Sequence, residues 1–181
     1  KMVINLSAGQ TGSLPTSNDV FSEEAVDRNG ALASQYMASL LIRGYDFVVV
    51  QSAGNGAADG LGVDARYNGL FAAIDADNCV TANGKVTVTA QDIMDRVIIV
   101  GAAGEQDENG VYMQASFSNG GDQVDIAAPG VSIYSTVAGG YDAMQGTSMA
   151  APMVAATASP STVSPSTRTI CFRMVLVLGL T

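Results

Sequence analysis

The sequence has 181 residues, of which 48% are hydrophobic and 14% charged, a composition that excludes a disordered chain and is typical of one packed domain. The formal net charge of −9 opposes binding to nucleic acid or an anionic membrane surface, and the few lysines and arginines are scattered. No apolar run approaches the roughly 20 residues of a membrane span. Cys79 and Cys171 are too few to define a disulfide framework and match no metal motif. We therefore expect neither a nucleic acid partner nor a membrane span.

The first half of the chain alternates between predicted strands and a helix. Residues 3–7 form a short apolar run, as in a buried strand. A helix is predicted after the N-cap residue Ser22, with two glutamates in its first turn and an end at Gly44. Residues 47–50 and 97–100 are β-branched runs typical of parallel strands covered on both faces. This order indicates an α/β domain with right-handed crossovers.

Turn signals divide the rest of the chain into shorter segments. Asn83-Gly84 predicts a β-hairpin within residues 80–88, Asn109-Gly110 predicts a turn, and Gly139-Gly140 predicts a second hairpin. A run of small residues up to Ala158 can be helical, but from Ser159 the composition changes to serine, threonine and proline. We therefore divide the chain into a domain over 1–158 and a divergent or poorly ordered tail over 159–181.

The segment Gly146-Thr147-Ser148-Met149-Ala150-Ala151-Pro152 carries the candidate chemistry. It places Ser148 at the start of the helical run, where free backbone N–H groups and the positive end of the helix dipole can stabilise an oxyanion. A serine or threonine at a helix start more often serves only as a cap. The surrounding motifs decide between these interpretations.

Four motifs, in order and spacing, resemble the subtilase family of serine endopeptidases over residues 3–156. They are Val3-Ile4-Asn5-Leu6-Ser7-Ala8-Gly9, Val50-Gln51-Ser52-Ala53-Gly54-Asn55-Gly56, the stretch from Ser116 through Val124-Asp125-Ile126-Ala127-Ala128-Pro129-Gly130 to Thr136, and the Ser148 segment. The resemblance implies a three-layer subtilisin-like fold, with a mostly parallel, seven-stranded sheet between helices. Because the chain opens inside a strand, we expect this fold to be incomplete at its N-terminus.

The resemblance also implies roles for single residues. Ser148 would be the acylated nucleophile, and its backbone N–H and the Asn55 side chain would hold the oxyanion. The backbone of Ser7, Ala8 and Gly9 would pair with an extended polypeptide substrate as an added strand. Ala53 and Gly54 would form a wall of the pocket for the residue before the scissile bond, with room for a large apolar group. No metal ligand is predicted.

The chain departs from the family in its general base. Subtilases use an aspartate and a histidine that precede the first motif, and this sequence contains no histidine. Without an imidazole, no group is assigned to take the Ser148 proton, and an alcohol without a base is a weak nucleophile. We expect the chain alone to be inactive, with the missing N-terminal half of the catalytic domain as its partner.

A non-catalytic peptide-binding or interaction domain on a degenerate subtilase scaffold is the alternative. Retention of both Ser148 and Asn55 favours an endopeptidase fragment. The resemblance also implies secretion or cell-surface display and often a structural calcium ion, for which no carboxylate cluster indicates ligands; the chemistry itself requires no cofactor. Open sheet edges make self-association a further expectation.

Overall fold

The structure is a computed structural model that describes residues 2–9, 23–56, 60–79 and 88–158. Its strands are β1 (Met2–Leu6), β2 (Phe47–Ser52), β3 (Val97–Gln106), β4 (Tyr112–Gln114), β5 (Ile126–Pro129), β6 (Ile133–Val137) and β7 (Gly140–Met144). Its helices are α1 (Glu23–Ile42), α2 (Ala90–Met94) and α3 (Thr147–Ala158), and two 3-10 turns span Ala65–Asn68 and Leu70–Ala73. The predicted Ser22 cap, the Asn83-Gly84 turn and the tail over 159–181 lie outside the described residues.

A mostly parallel sheet forms the centre of the described structure. β1, β2, β3 and β5 lie side by side and run parallel, and β4 pairs antiparallel with the second half of β3. Because all parallel strands end at one edge of a sheet, the loops that follow β1, β2 and β5 meet there. These loops contain most of the predicted site residues.

Strand β2 lies in the part of the sheet that is covered on both faces. All six of its residues are buried, as the unbroken apolar run predicted. Successive side chains point to opposite faces. Phe47 and Val49 therefore pack with Met37 of α1, and Val50 packs with Ala150 and its neighbours in α3. Helix, sheet and helix form three layers, which confirms the predicted α/β fold class.

The ends of α1 follow the sequence signals. Glu23 and Glu24 occupy its first turn, where the helix dipole favours carboxylates. The helix ends at Ile42, and Gly44 follows with a φ of 80°, a left-handed conformation that favours glycine. The predicted helix is thus confirmed over its described residues.

A hairpin leads from the end of β5 to the start of α3. β6 and β7 pair antiparallel around Gly139-Gly140 as predicted, and the rings of Tyr134 and Tyr141 stack on one face with centroids 5.8 Å apart. At its base, the Gly146 N–H donates to the Gly130 carbonyl at 2.8 Å. This hydrogen bond fixes the first turn of α3 against the carboxyl end of β5.

Candidate active site

Ser148 is the second residue of α3, at the sheet edge where the parallel strands end. The site is half-buried, and the Ser148 Oγ donates a hydrogen bond to the Ser7 carbonyl at 3.3 Å. The backbone N–H groups of a first helical turn have no acceptor within the helix, so the Ser148 N–H is available to an anion. The structure thus joins the nucleophile candidate to the strand end predicted to bind substrate.

The orientation of the Asn55 side chain follows from its hydrogen bonds. Asn55 Oδ1 accepts from both the backbone N–H and the Oγ1 of Thr147, each at 2.8 Å. Because these donors fix Oδ1, the Nδ2 of the same amide points the other way and keeps its protons for another acceptor. A Cβ built on Gly146 would lie 3.1 Å from this Nδ2. The amide donor therefore lies beside the turn that presents Ser148.

Thr147 connects the two loops of the site, a role that the motifs did not predict. Its side chain is fully buried. The Oγ1 accepts from the Gly54 N–H at 3.1 Å and donates to Asn55 Oδ1. One hydroxyl therefore uses both its donor and an acceptor position to hold the loop after β2 against the start of α3.

Asn119 is a second residue that the sequence reasoning missed. It is buried, and its Nδ2 donates to the Ala53 carbonyl at 2.9 Å. Its Oδ1 accepts from the Gly56 and Val63 N–H groups at 2.8 and 3.1 Å. A buried asparagine with this many partners is costly to remove. Asn119 thus fixes the backbone on both sides of Asn55.

The five predicted substrate-binding residues fall into two groups. Ser7, Ala8 and Gly9 follow β1 and are half-buried or exposed, so their backbone faces the open edge. Ala53 and Gly54 are buried, and their carbonyls accept from the Asn119 side chain and backbone, respectively. Only the first group can therefore pair with an added strand, and the second can act only as a wall.

No general base appears in the described part of the site. The hydrogen bond of Ser148 Oγ there is to a main-chain carbonyl, which cannot take a proton, and the whole sequence lacks histidine. The arrangement can therefore orient a hydroxyl and bind an oxyanion. The sequence offers no histidine to remove the proton of that hydroxyl.

Two carboxyl groups with shifted pKa values lie elsewhere in the described structure. Burial raises the pKa of Asp125, against the lowering effect of a hydrogen bond from the Ile99 N–H. Asp125 precedes β5 and lines a cavity with Ile74 and Val97, at the edge opposite Ser148. The Thr89 hydroxyl lowers the pKa of Asp92 at the start of α2. These groups have no geometric relation to the candidate nucleophile.

The described residues also limit metal and membrane sites. Within 2–9, 23–56, 60–79 and 88–158, no group of three or more acidic or cysteine side chains is placed to hold a metal ion. The calcium ion implied by the resemblance stays a prediction, because main-chain and amide carbonyls can also bind calcium. Over the same residues, no helix is both long and apolar enough to cross a membrane.

A family model described as the Subtilase family matches residues 1–160. The chain belongs to the subtilase family. It is 32% identical over 168 residues to subtilisin from Bacillus pumilus, covering 86% of this chain and 58% of that protein. It is 34% identical over 164 residues to the thermophilic serine proteinase of Bacillus sp. (strain AK1), covering 86% of this chain and 38% of that protein.

Further matches include another curated protein and a crystal structure. Subtilisin-like protease 1 of Arthroderma otae is 39% identical over 112 residues, covering 60% of this chain and 21% of that protein. The crystal structure of a cold adapted subtilisin-like serine proteinase is 27% identical, with a TM-score of 0.45, covering 84% of this chain and 38% of that chain. The subtilase chain thus spans between 21% and 58% of the length of these curated relatives.

Family membership confirms the resemblance stated from the motifs. It also establishes serine peptidase as the activity of the family to which the chain belongs. Ser148, Asn55 and the strand end Ser7–Gly9 meet at one edge of this subtilase sheet. Their catalytic and binding roles are taken up as proposals below.

Proposed function

We propose that this subtilase chain carries the nucleophile and oxyanion-binding part of a serine endopeptidase site. The observation that supports this most directly is the pair of hydrogen bonds from Thr147 to Asn55 Oδ1, because they turn the amide N–H groups away from Thr147. Preorganised donors of this kind are worth ~10²–10³ in turnover. The substrate is a polypeptide, with its backbone along Ser7, Ala8 and Gly9.

The proposed reaction divides hydrolysis into two transfers. Ser148 Oγ forms a bond to the carbonyl carbon of the substrate while a base removes the hydroxyl proton, and the carbonyl oxygen becomes an oxyanion held by Asn55 Nδ2 and the Ser148 N–H. The C–N bond then breaks, and the amine leaves with the proton. Water attacks the resulting ester, releasing the acid and restoring the Ser148 hydroxyl.

The family's base is a histidine, and this sequence has none. We therefore propose that the chain alone is inactive and that an N-terminal part of the catalytic domain completes it. Among the described residues, β1 pairs with a strand along one edge only. A strand of that part, or a second copy, can add at the other edge. By analogy with the family, we propose that the whole protein acts outside the cell.

Labelling with a fluorophosphonate tests the proposal. The chain, Ser148→Ala and the control Ser135→Ala, which alters an exposed strand residue, are treated with the reagent, with and without imidazole as an external base. Intact mass measures the extent of modification. We expect slow labelling that imidazole accelerates, that Ser148→Ala abolishes and that Ser135→Ala leaves unchanged. Labelling that persists in Ser148→Ala, or none even with imidazole, contradicts the proposal and favours a non-catalytic binding domain.

A further inference from the structure

Asn68 lies between the two backbone segments of the proposed substrate cleft. It ends the 3-10 turn Ala65–Asn68, and its Nδ2 donates to the Ser52 carbonyl at 2.7 Å. A Cβ built on Gly9 would collide with the Asn68 carboxamide, and one built on Gly54 would lie 2.8 Å from its Oδ1. The carboxamide therefore fills the gap between the ends of β1 and β2.

The position of Asn68 is fixed from behind by Gln51. This β2 side chain is fully buried. Its Nε2 donates to the Gly69 carbonyl at 3.1 Å, and its Oε1 accepts from the Phe71 N–H at 3.0 Å. These bonds hold the backbone immediately after Asn68 against the sheet. Asn68 is therefore presented to the cleft by a built turn and not by a free loop.

The sequence alone predicted a different pocket. The small residues Ala53 and Gly54 indicated room for a large apolar group before the scissile bond. Asn68 takes up space beside Gly54 and brings a polar group there, with Oδ1 beside both glycines. A large apolar side chain would have to displace this carboxamide or cover its oxygen, and a buried polar group without a partner lowers binding by about tenfold or more.

We propose that Asn68 determines specificity, making the pocket for the residue before the scissile bond short and polar. It accepts small side chains that can donate a hydrogen bond, such as serine, and disfavours large apolar ones, such as phenylalanine. This inference rests on the proposed function, since it names the substrate class of the same site. It gives Asn68 a role in substrate binding and none in the chemical step.

Product peptides test the inference without a catalytic base. Acetyl-Ala-Ala-Pro-Ser and acetyl-Ala-Ala-Pro-Phe, each with a free carboxylate, are titrated into the full 181-residue chain, and the dissociation constants are measured by NMR. We expect the serine peptide to bind about tenfold tighter. Asn68→Ala should reduce this ratio to about one, and Asn68→Ser should give an intermediate ratio. The control Asn109→Ala, in the exposed turn before β4, should keep the wild-type ratio.

The outcomes separate the two proposals. Each ratio is measured within one variant, so a general loss of stability does not imitate a change in preference. If the wild type binds the phenylalanine peptide as tightly as the serine peptide, the inference is wrong while the cleft remains a peptide site. A ratio that stays at the wild-type value in Asn68→Ala overturns it too. If neither peptide binds to the wild type or to Asn109→Ala, the proposed function fails and the inference with it.

Discussion

Replacing Thr147 with valine isolates the hydroxyl that joins the two loops of the site. The two side chains have nearly the same shape, so the change removes hydrogen bonds and leaves packing in place. In the native chain the Oγ1 accepts from the Gly54 N–H at 3.1 Å and donates to Asn55 Oδ1 at 2.8 Å. Valine offers neither group, and Thr147 is fully buried, so water cannot replace the lost partner.

The size of the effect follows from these two bonds. A buried N–H left without an acceptor costs ~1–3 kcal/mol, and the lost bond to Asn55 contributes ~1 kcal/mol. We therefore expect Thr147→Val to lower the free energy of unfolding by ~2–4 kcal/mol, equivalent to a Tm ~5–15 °C lower for a chain of this size. Asn55 keeps its bond from the Thr147 backbone, so the amide loses one of its two fixing contacts.

Urea unfolding followed by circular dichroism measures the change, and α3 itself provides a matched control. Thr157 lies in the same helix, is exposed, and donates only to the Val154 carbonyl. Thr157→Val should alter stability by less than ~0.5 kcal/mol. If Thr147→Val and Thr157→Val destabilise the chain equally, the hydroxyl does not connect the loops and the orientation argued for Asn55 is unsupported.

Two further changes test other parts of the structure. Asn119→Ala removes the donor to the Ala53 carbonyl and leaves the half-buried N–H groups of Gly56 and Val63 without an acceptor. It should therefore lower the free energy of unfolding, measured in urea, by ~3 kcal/mol, whereas Asn109→Ala in an exposed turn should have little effect. Burial raises the pKa of Asp125, so the native state binds more protons than the unfolded state, and stability falls as pH rises through the raised pKa. Asp125→Asn removes this titration. The Tm of the variant, relative to the Tm of the wild type, should therefore increase as pH rises. Because Asp125 as a whole residue is exposed, we expect this difference in Tm to be small. A Tm difference that does not change with pH would contradict the prediction.

The fold could be predicted to the extent that local patterns decide it. An unbroken β-branched run over residues 47–50 requires burial on both faces, and the structure places β2 between α1 and α3. Gly44 follows the end of α1, and Gly139-Gly140 turns the chain from β6 into β7. All three glycines have a positive φ, which favours glycine. Each of these signals lies within a few residues of the element that it controls. Such local signals therefore predict the element without knowledge of its long-range contacts.

The candidate site could be predicted only in part, because a motif does not indicate the contacts that each of its residues makes. Ser148 and Asn55 were predicted from their motifs, and the structure brings their loops together through Thr147. Asn119 and Asn68 were missed because their partners are main-chain groups far along the sequence, such as the carbonyls of Ala53 and Ser52. An asparagine in a loop can have many structural roles, and its sequence neighbours do not indicate which carbonyl will accept its hydrogen bond.

The hydrogen bonds of the site orient the Asn55 loop and involve no group that removes the Ser148 proton. Thr147 and Asn119 fix the loop that carries Asn55 through partners that all lie within this chain, and none of these bonds requires a histidine or an aspartate base. In serine proteases the oxyanion hole and binding groups alone retain ~10³–10⁴ of the advantage over water when a triad member is removed. On the proposed function, the hydrogen bonds that orient the oxyanion donor therefore form without the group that moves the proton. The same proposal predicts that a base supplied from outside needs to reach Ser148 Oγ but does not need to orient Asn55.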